Sequence, residues 1–65
     1  MTWKPDEVII HPDASRTEIY WRRRRGLRGE RSRIRKEVAP DGTTQEVWHE
    51  VFDLNGTLIH QDREQ

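Results

Sequence analysis

The sequence predicts an all-β fold, a small antiparallel meander of about five strands in one domain, residues 1–65. Three observations predict it. Pro5, Pro12 and Pro40 interrupt the chain, and Gly26, Gly29, Gly42 and Gly56 mark turns. Between them lie short stretches rich in Val, Ile, Thr and aromatic residues, the types that fit a pleated surface. No stretch carries apolar residues at the three- and four-residue spacing of an amphipathic helix.

The expected strands are 7–11, 17–24, 31–38, 44–53 and 57–62. "HPDAS" turns the chain between the first two, with Pro12 and Asp13 supplying turn chemistry. "RGLRGE" caps a basic hairpin at about 20–36. "APDGT" and "DLNGT" cap the next two hairpins, the last an acidic one at about 44–62. A two-residue turn on Asp41-Gly42 would place Pro40, which has no N–H, where a cross-turn donor is needed. A type I turn on Pro40 and Asp41 followed by left-handed Gly42 avoids this, and Leu54-Asn55-Gly56 fits the same geometry. The stretch "FDLNGTL" resembles one unit of the Tyr-Asp hairpin repeats of large secreted bacterial proteins. Over seven residues the resemblance implies a hairpin and no activity.

That loop sets a register with Ile34 opposite Trp48, Lys36 opposite Glu46 and Val38 opposite Thr44. It avoids the like-charge pair Glu37–Glu46. One face then carries Ile34, Val38, Trp48, Phe52 and Leu58, and the other carries Val47, Val51 and Ile59 with Arg33, Arg35 and His49. Both faces need cover, which Val8, Ile10, Ile19 and Trp21 can supply if the sheet is strongly bent or curls into an SH3-like barrel. An open sheet pairing through its edge with a second copy is the alternative. Trp3 is expected over one end of the barrel, and "QDREQ" as a frayed polar tail.

Composition bounds the function. With 31% hydrophobic and 37% charged residues, few side chains build the core, and the five aromatics carry much of it. The absence of cysteine rules out disulfides and thiolate metal sites and suits a cytoplasmic protein. No apolar run approaches membrane-spanning length and no signal-peptide pattern opens the chain.

The formal net charge of zero conceals a strong asymmetry. Residues 16–36 hold ten basic and two acidic residues, whereas residues 37–65 hold one basic and seven acidic. Arginine stems can cover apolar surface while their heads stay in water, so a basic run alone is ordinary. Here the carboxylates that could lie alongside, Glu18, Glu30, Glu46 and Glu50, fall short of the local cations by about five. Unit charges about 5 Å apart in water repel by roughly 0.8 kcal/mol, so the excess calls for an anion. The expected role is a nucleic-acid-binding module, RNA slightly ahead of DNA, that grips phosphates with Arg22, Arg23, Arg24, Arg25, Arg28, Arg31 and Arg33. Tyr20 would serve as a stacking platform, with Trp21 assigned to the core. The alternative partner is an acidic protein surface.

A third reading is a small metal-independent ribonuclease, which needs only a base, an acid and a cation near the phosphate. His49 with Glu50 or Arg33 would carry it, with His11 second. His11, His49 and His60 have no metal-ligand spacing. The register above puts His49 and His60 on opposite faces, His60 facing Glu50. No catalytic residue, metal ligand or cofactor is therefore assigned, and a monomer or edge-strand homodimer is expected.

Overall fold

The structure is a computed structural model that describes residues 4–65; the position of Trp3 lies outside them. Five strands form one antiparallel sheet in chain order: β1 (Glu7–Ile10), β2 (Arg16–Trp21), β3 (Arg31–Val38), β4 (Thr44–Phe52) and β5 (Leu58–Arg63). The meander is as the sequence predicts, and no helix is present among the described residues. The sheet does not close into a barrel, because β1 and β5 remain at opposite edges. Its Cα radius of gyration is 12.8 Å, against about 11 Å for a compact domain of this length. The excess is that of one open layer.

All four connections share one geometry. In each, the N–H of the fourth loop residue bonds to the carbonyl of the first: Ala14 to His11, Gly29 to Gly26, Gly42 to Ala39, and Gly56 to Asp53. The N–H of the first residue in turn donates to the carbonyl of the fifth, as in Ala39 N to Thr43 O at 2.8 Å. The fourth residue is left-handed throughout, with φ of 82°, 90° and 85° at the three glycines and 71° at Ala14. This is the type I turn with a following bulge argued above for Pro40–Gly42.

The register departs from expectation. Val38 pairs with Thr44 as predicted, but an additional irregularity follows at once, and Glu37 then faces Glu46 while Arg35 faces Trp48 and Ile34 faces His49. The like-charge pair is tolerated because each acid has another partner. Glu37 accepts Arg35 Nη1 at 2.9 Å and Thr17 Oγ1 at 2.9 and 3.0 Å, and Glu46 accepts Trp48 Nε1 at 2.9 Å. A one-residue shift inverts faces along a strand. Consequently Ile19, Trp21, Trp48 and Phe52 share one face with Arg31, Arg33 and Arg35, whereas Ile34, Val47, His49 and Val51 share the other with Tyr20.

Among the described residues, Ile19 and Val38 are the buried hydrophobic residues, and Thr17 and Glu50 the buried polar ones. The first face is therefore held by arginine–aromatic and arginine–carboxylate contacts around Ile19. Arg33 lies between Phe52 and Trp21, its guanidinium carbon 4.7 and 5.3 Å from their ring centroids, and Arg35 lies 5.6 Å from Trp48. The C-terminal residues are not frayed: Glu64 N bonds to Val47 O at 2.7 Å and Val47 N to Gln65 O at 2.9 Å.

Candidate nucleic-acid interface

The basic segment divides in two. Its second strand is absorbed into the sheet. Arg33 Nε donates to Glu50 Oε1 at 2.8 Å, and Arg35 Nε donates to Glu50 Oε2 at 3.2 Å. Burial pushes the Glu50 carboxyl up, but the bonds from Arg33 and Gln61 and the charge of Arg35 outweigh it, and the group sits below the usual carboxylate range. Arg33, assigned to the interface from the sequence, thus holds an internal partner. The guanidinium groups of the other six assigned arginines have no carboxylate partner among the described residues. None of the ion pairs among the described residues involves Arg22, Arg23, Arg24, Arg25, Arg28 or Arg31, and all six are exposed.

The strand expected over 17–24 stops at Trp21, and the reason lies in the ladder. Arg22 N bonds to Ser32 O and Gly26 N to Glu30 O, so four steps on one side of the ribbon match two on the other. Arg23 and Arg24 form a bend that accommodates the surplus. The strict alternation of Arg22 and Arg24 against Arg23 and Arg25 is therefore lost.

Three carboxylates approach this cluster, and each is engaged: Glu7 Oε2 accepts Trp21 Nε1 at 2.9 Å, and the other two accept backbone amides. Asp6 Oδ2 accepts Trp21 N at 2.7 Å, and Glu30 Oε1 accepts Arg28 N at 2.7 Å. Arg25 Nη1 closes the tip on Gly29 O at 3.3 Å. Arg31 stacks its guanidinium 4.3 Å from the Trp21 ring centroid, a cation–π contact that sequence reasoning missed by assigning Trp21 to the core. The alternation of Arg31, Arg33 and Arg35 beside Trp21 across one strand pair was the available signal.

Two hollows flank the ribbon base. The larger, ≈ 660 Å³, is lined by Tyr20, Ile34 and Lys36 together with Lys4, Asp6, Trp21 and Arg22 to Arg24. The smaller, ≈ 270 Å³, is lined by Asp6, Trp21, Arg22, Arg23, Arg25 and Arg31. Arg22 and Arg23 border both. Tyr20 donates its hydroxyl to Glu18 Oε1 at 2.7 Å, and Lys36 Nζ lies 5.2 Å from its ring centroid. Burial and the Glu18 carboxylate push the Tyr20 phenol up to about 12, so it is a neutral aromatic surface at any physiological pH.

The histidines are placed differently from expectation. An irregularity in β5 leaves Phe52 opposite Leu58 but Val51 opposite His60, which moves His60 away from Glu50 and onto the face of His49. Their ring centroids are 6.3 Å apart. His49 faces Ile34 and so lies on the opposite side of the sheet from Glu50 and Arg33; the acid–base groupings considered for a ribonuclease are not formed. His11 is 2.8 Å from Thr17 Oγ1.

Comparison with protein families, with curated proteins and with solved structures found no match. The functional reading rests on the geometry of the chain.

Proposed function

We propose that this chain is a small nucleic-acid-binding module, RNA slightly favoured over DNA, whose arginine ribbon straddles a phosphate backbone. The observation that carries the reading is the set of six exposed arginines outside every ion pair among the described residues, five of which, Arg22 to Arg25 and Arg31, border two hollows that share Trp21. A flat surface would leave half of such a cluster unused, whereas a backbone passing around the ribbon meets charge on both sides. The larger hollow is open and backed by the Tyr20 ring, which suits an unstacked base flanked by phosphates. Single-stranded RNA loops present such bases. A chain without cysteine that works on RNA is compatible with a cytoplasmic setting.

The division of arginines gives the reading its test. Replacing Arg22, Arg23 and Arg24 together by Ser should weaken binding of a single-stranded RNA oligonucleotide at least tenfold, with unchanged thermal stability. Tyr20→Leu should weaken it several-fold, since base stacking on one ring is worth about 1–3 kcal/mol. Retention of full affinity by the triple variant would remove the reading, and binding of an acidic peptide in preference to RNA would favour the protein partner instead.

A further inference from the structure

We propose that His49, His60 and Asp62 form a site for one divalent transition-metal ion, with Zn²⁺, Ni²⁺ or Cu²⁺ as the chemical class. One donor atom from each residue lies within 4.8 Å of the other two. The topology explains the convergence. His49 on β4 stands directly opposite Asp62 on β5, and His60 stands opposite Val51, two positions along the same face. The irregularity at Ile59 is essential: continuing the Phe52–Leu58 register without it would put His60 opposite Glu50, on the other side of the sheet.

The donor set suits the ion. Two imidazoles and a carboxylate are the ligands of borderline transition metals, and three protein ligands leave a fourth position for water or substrate. Mg²⁺ and Ca²⁺ favour all-oxygen shells and are not matched here. Bonds of 2.0–2.1 Å in a tetrahedron place neighbouring donors about 3.3 Å apart. Binding therefore draws the group inward from 4.8 Å and parts His60 Nε2 from Asp62 Oδ2, now at 2.7 Å. Side-chain rotation suffices, because His60 and Asp62 are 53% and 64% exposed.

The surroundings permit a cation despite the basic strand nearby. Arg33 and Arg35 of β3 turn to the opposite face toward Glu50, and the β3 residues paired with His49 and Val51 are Ile34 and Ser32. Lys36, opposite Val47, is the nearest basic position of β3 on this face. The inference is independent of nucleic-acid binding.

Calorimetric titration of the full chain with ZnCl₂, repeated with NiCl₂ and with MgCl₂, tests it. One equivalent of Zn²⁺ and of Ni²⁺ should bind in the micromolar range, and Mg²⁺ should not. His49→Ala and His60→Ala should each lose at least tenfold in Zn²⁺ affinity. Histidine-ring NMR of the unaltered chain supplies a readout without substitution: Zn²⁺ should shift the rings of His49 and His60 and leave His11, already bonded to Thr17, unmoved. Absence of saturable binding, unchanged affinity in both alanine variants, or equal shifts of all three rings would overturn the assignment.

Discussion

Arg33 donates its Nε–H to Glu50 across the β3–β4 pair at 2.8 Å, and Glu50 is 3% exposed. The same carboxylate accepts Arg35 Nε at 3.2 Å and Gln61 Nε2 at 2.7 Å. In an open sheet whose described residues include two buried apolar side chains, this carboxylate ties three neighbouring strands together. Glu50→Ala should therefore destabilise the fold by about 2–4 kcal/mol, since it leaves two guanidinium groups with lost partners. Glu64→Gln, at an exposed position, should change it by less than about 0.5 kcal/mol. Urea denaturation followed by Trp fluorescence measures both.

Stability should also depend on pH in a direction fixed by Glu50. Its folded-state pKa lies below the usual carboxylate range, with burial opposed and outweighed by Arg33, Gln61 and Arg35. A depressed carboxylate contributes stability that is present above its unfolded pKa and lost as pH falls through the folded one. Glu18, lowered by the hydrogen bonds of Tyr20 and Arg16, adds to the same trend. The urea midpoint should be level near neutrality and fall progressively below about pH 4 to 5.

Tyr20 acts at the other end of the scale. Its phenol is raised from 10.0 to about 12, first by burial and then by the Glu18 hydrogen bond. A raised group contributes stability that is complete below the unfolded value and lost as pH rises through the folded one. Absorbance at 295 nm should show Tyr20 ionising near pH 12 in the folded protein and near pH 10 in denaturant.

The four turns supply a stabilising substitution. Three place Gly at the left-handed position and one places Ala14, with φ 71°. A Cβ in that region costs about 1–2 kcal/mol, of which the greater freedom of glycine in the unfolded chain returns about 0.4–1 kcal/mol. Ala14→Gly should raise stability by about 0.5–1 kcal/mol. Gly29→Ala and Gly42→Ala should each lower it by a similar amount, because both glycines are left-handed and the Leu54 Cδ1 that an added Cβ at Gly29 would meet is the end of an exposed side chain free to move aside. Thermal melts of the three variants give the order.

Strand positions were legible in the sequence because proline, glycine and β-branched residues act locally. The turn at Pro40–Gly42 was legible for the same reason: Pro40 removes a donor and Gly42 supplies the positive φ. The register was not. Extra residues beyond Val38 and at Ile59 depend on which side chains find partners across the sheet, such as Glu37 with Thr17 and Glu50 with Arg33. Those shifts joined Arg33 to the interior and brought His49 beside His60. The exposed arginines at 22–25 were legible as an excess of charge, whereas the bend at Arg23–Arg24 that places them around Trp21 arises from the mismatch between the two sides of the ribbon.

The salt dependence of RNA affinity tests the central claim most directly, because it counts the phosphates that the exposed arginines are proposed to engage. Fluorescence anisotropy of a labelled single-stranded RNA, titrated at several salt concentrations, should give log K against log salt with a slope of about −3 to −4, as for roughly four to six phosphate contacts on a single strand. The Arg22, Arg23 and Arg24 triple variant should reduce that slope by about 2 to 3. A flat response, or no affinity at low salt, would contradict the account.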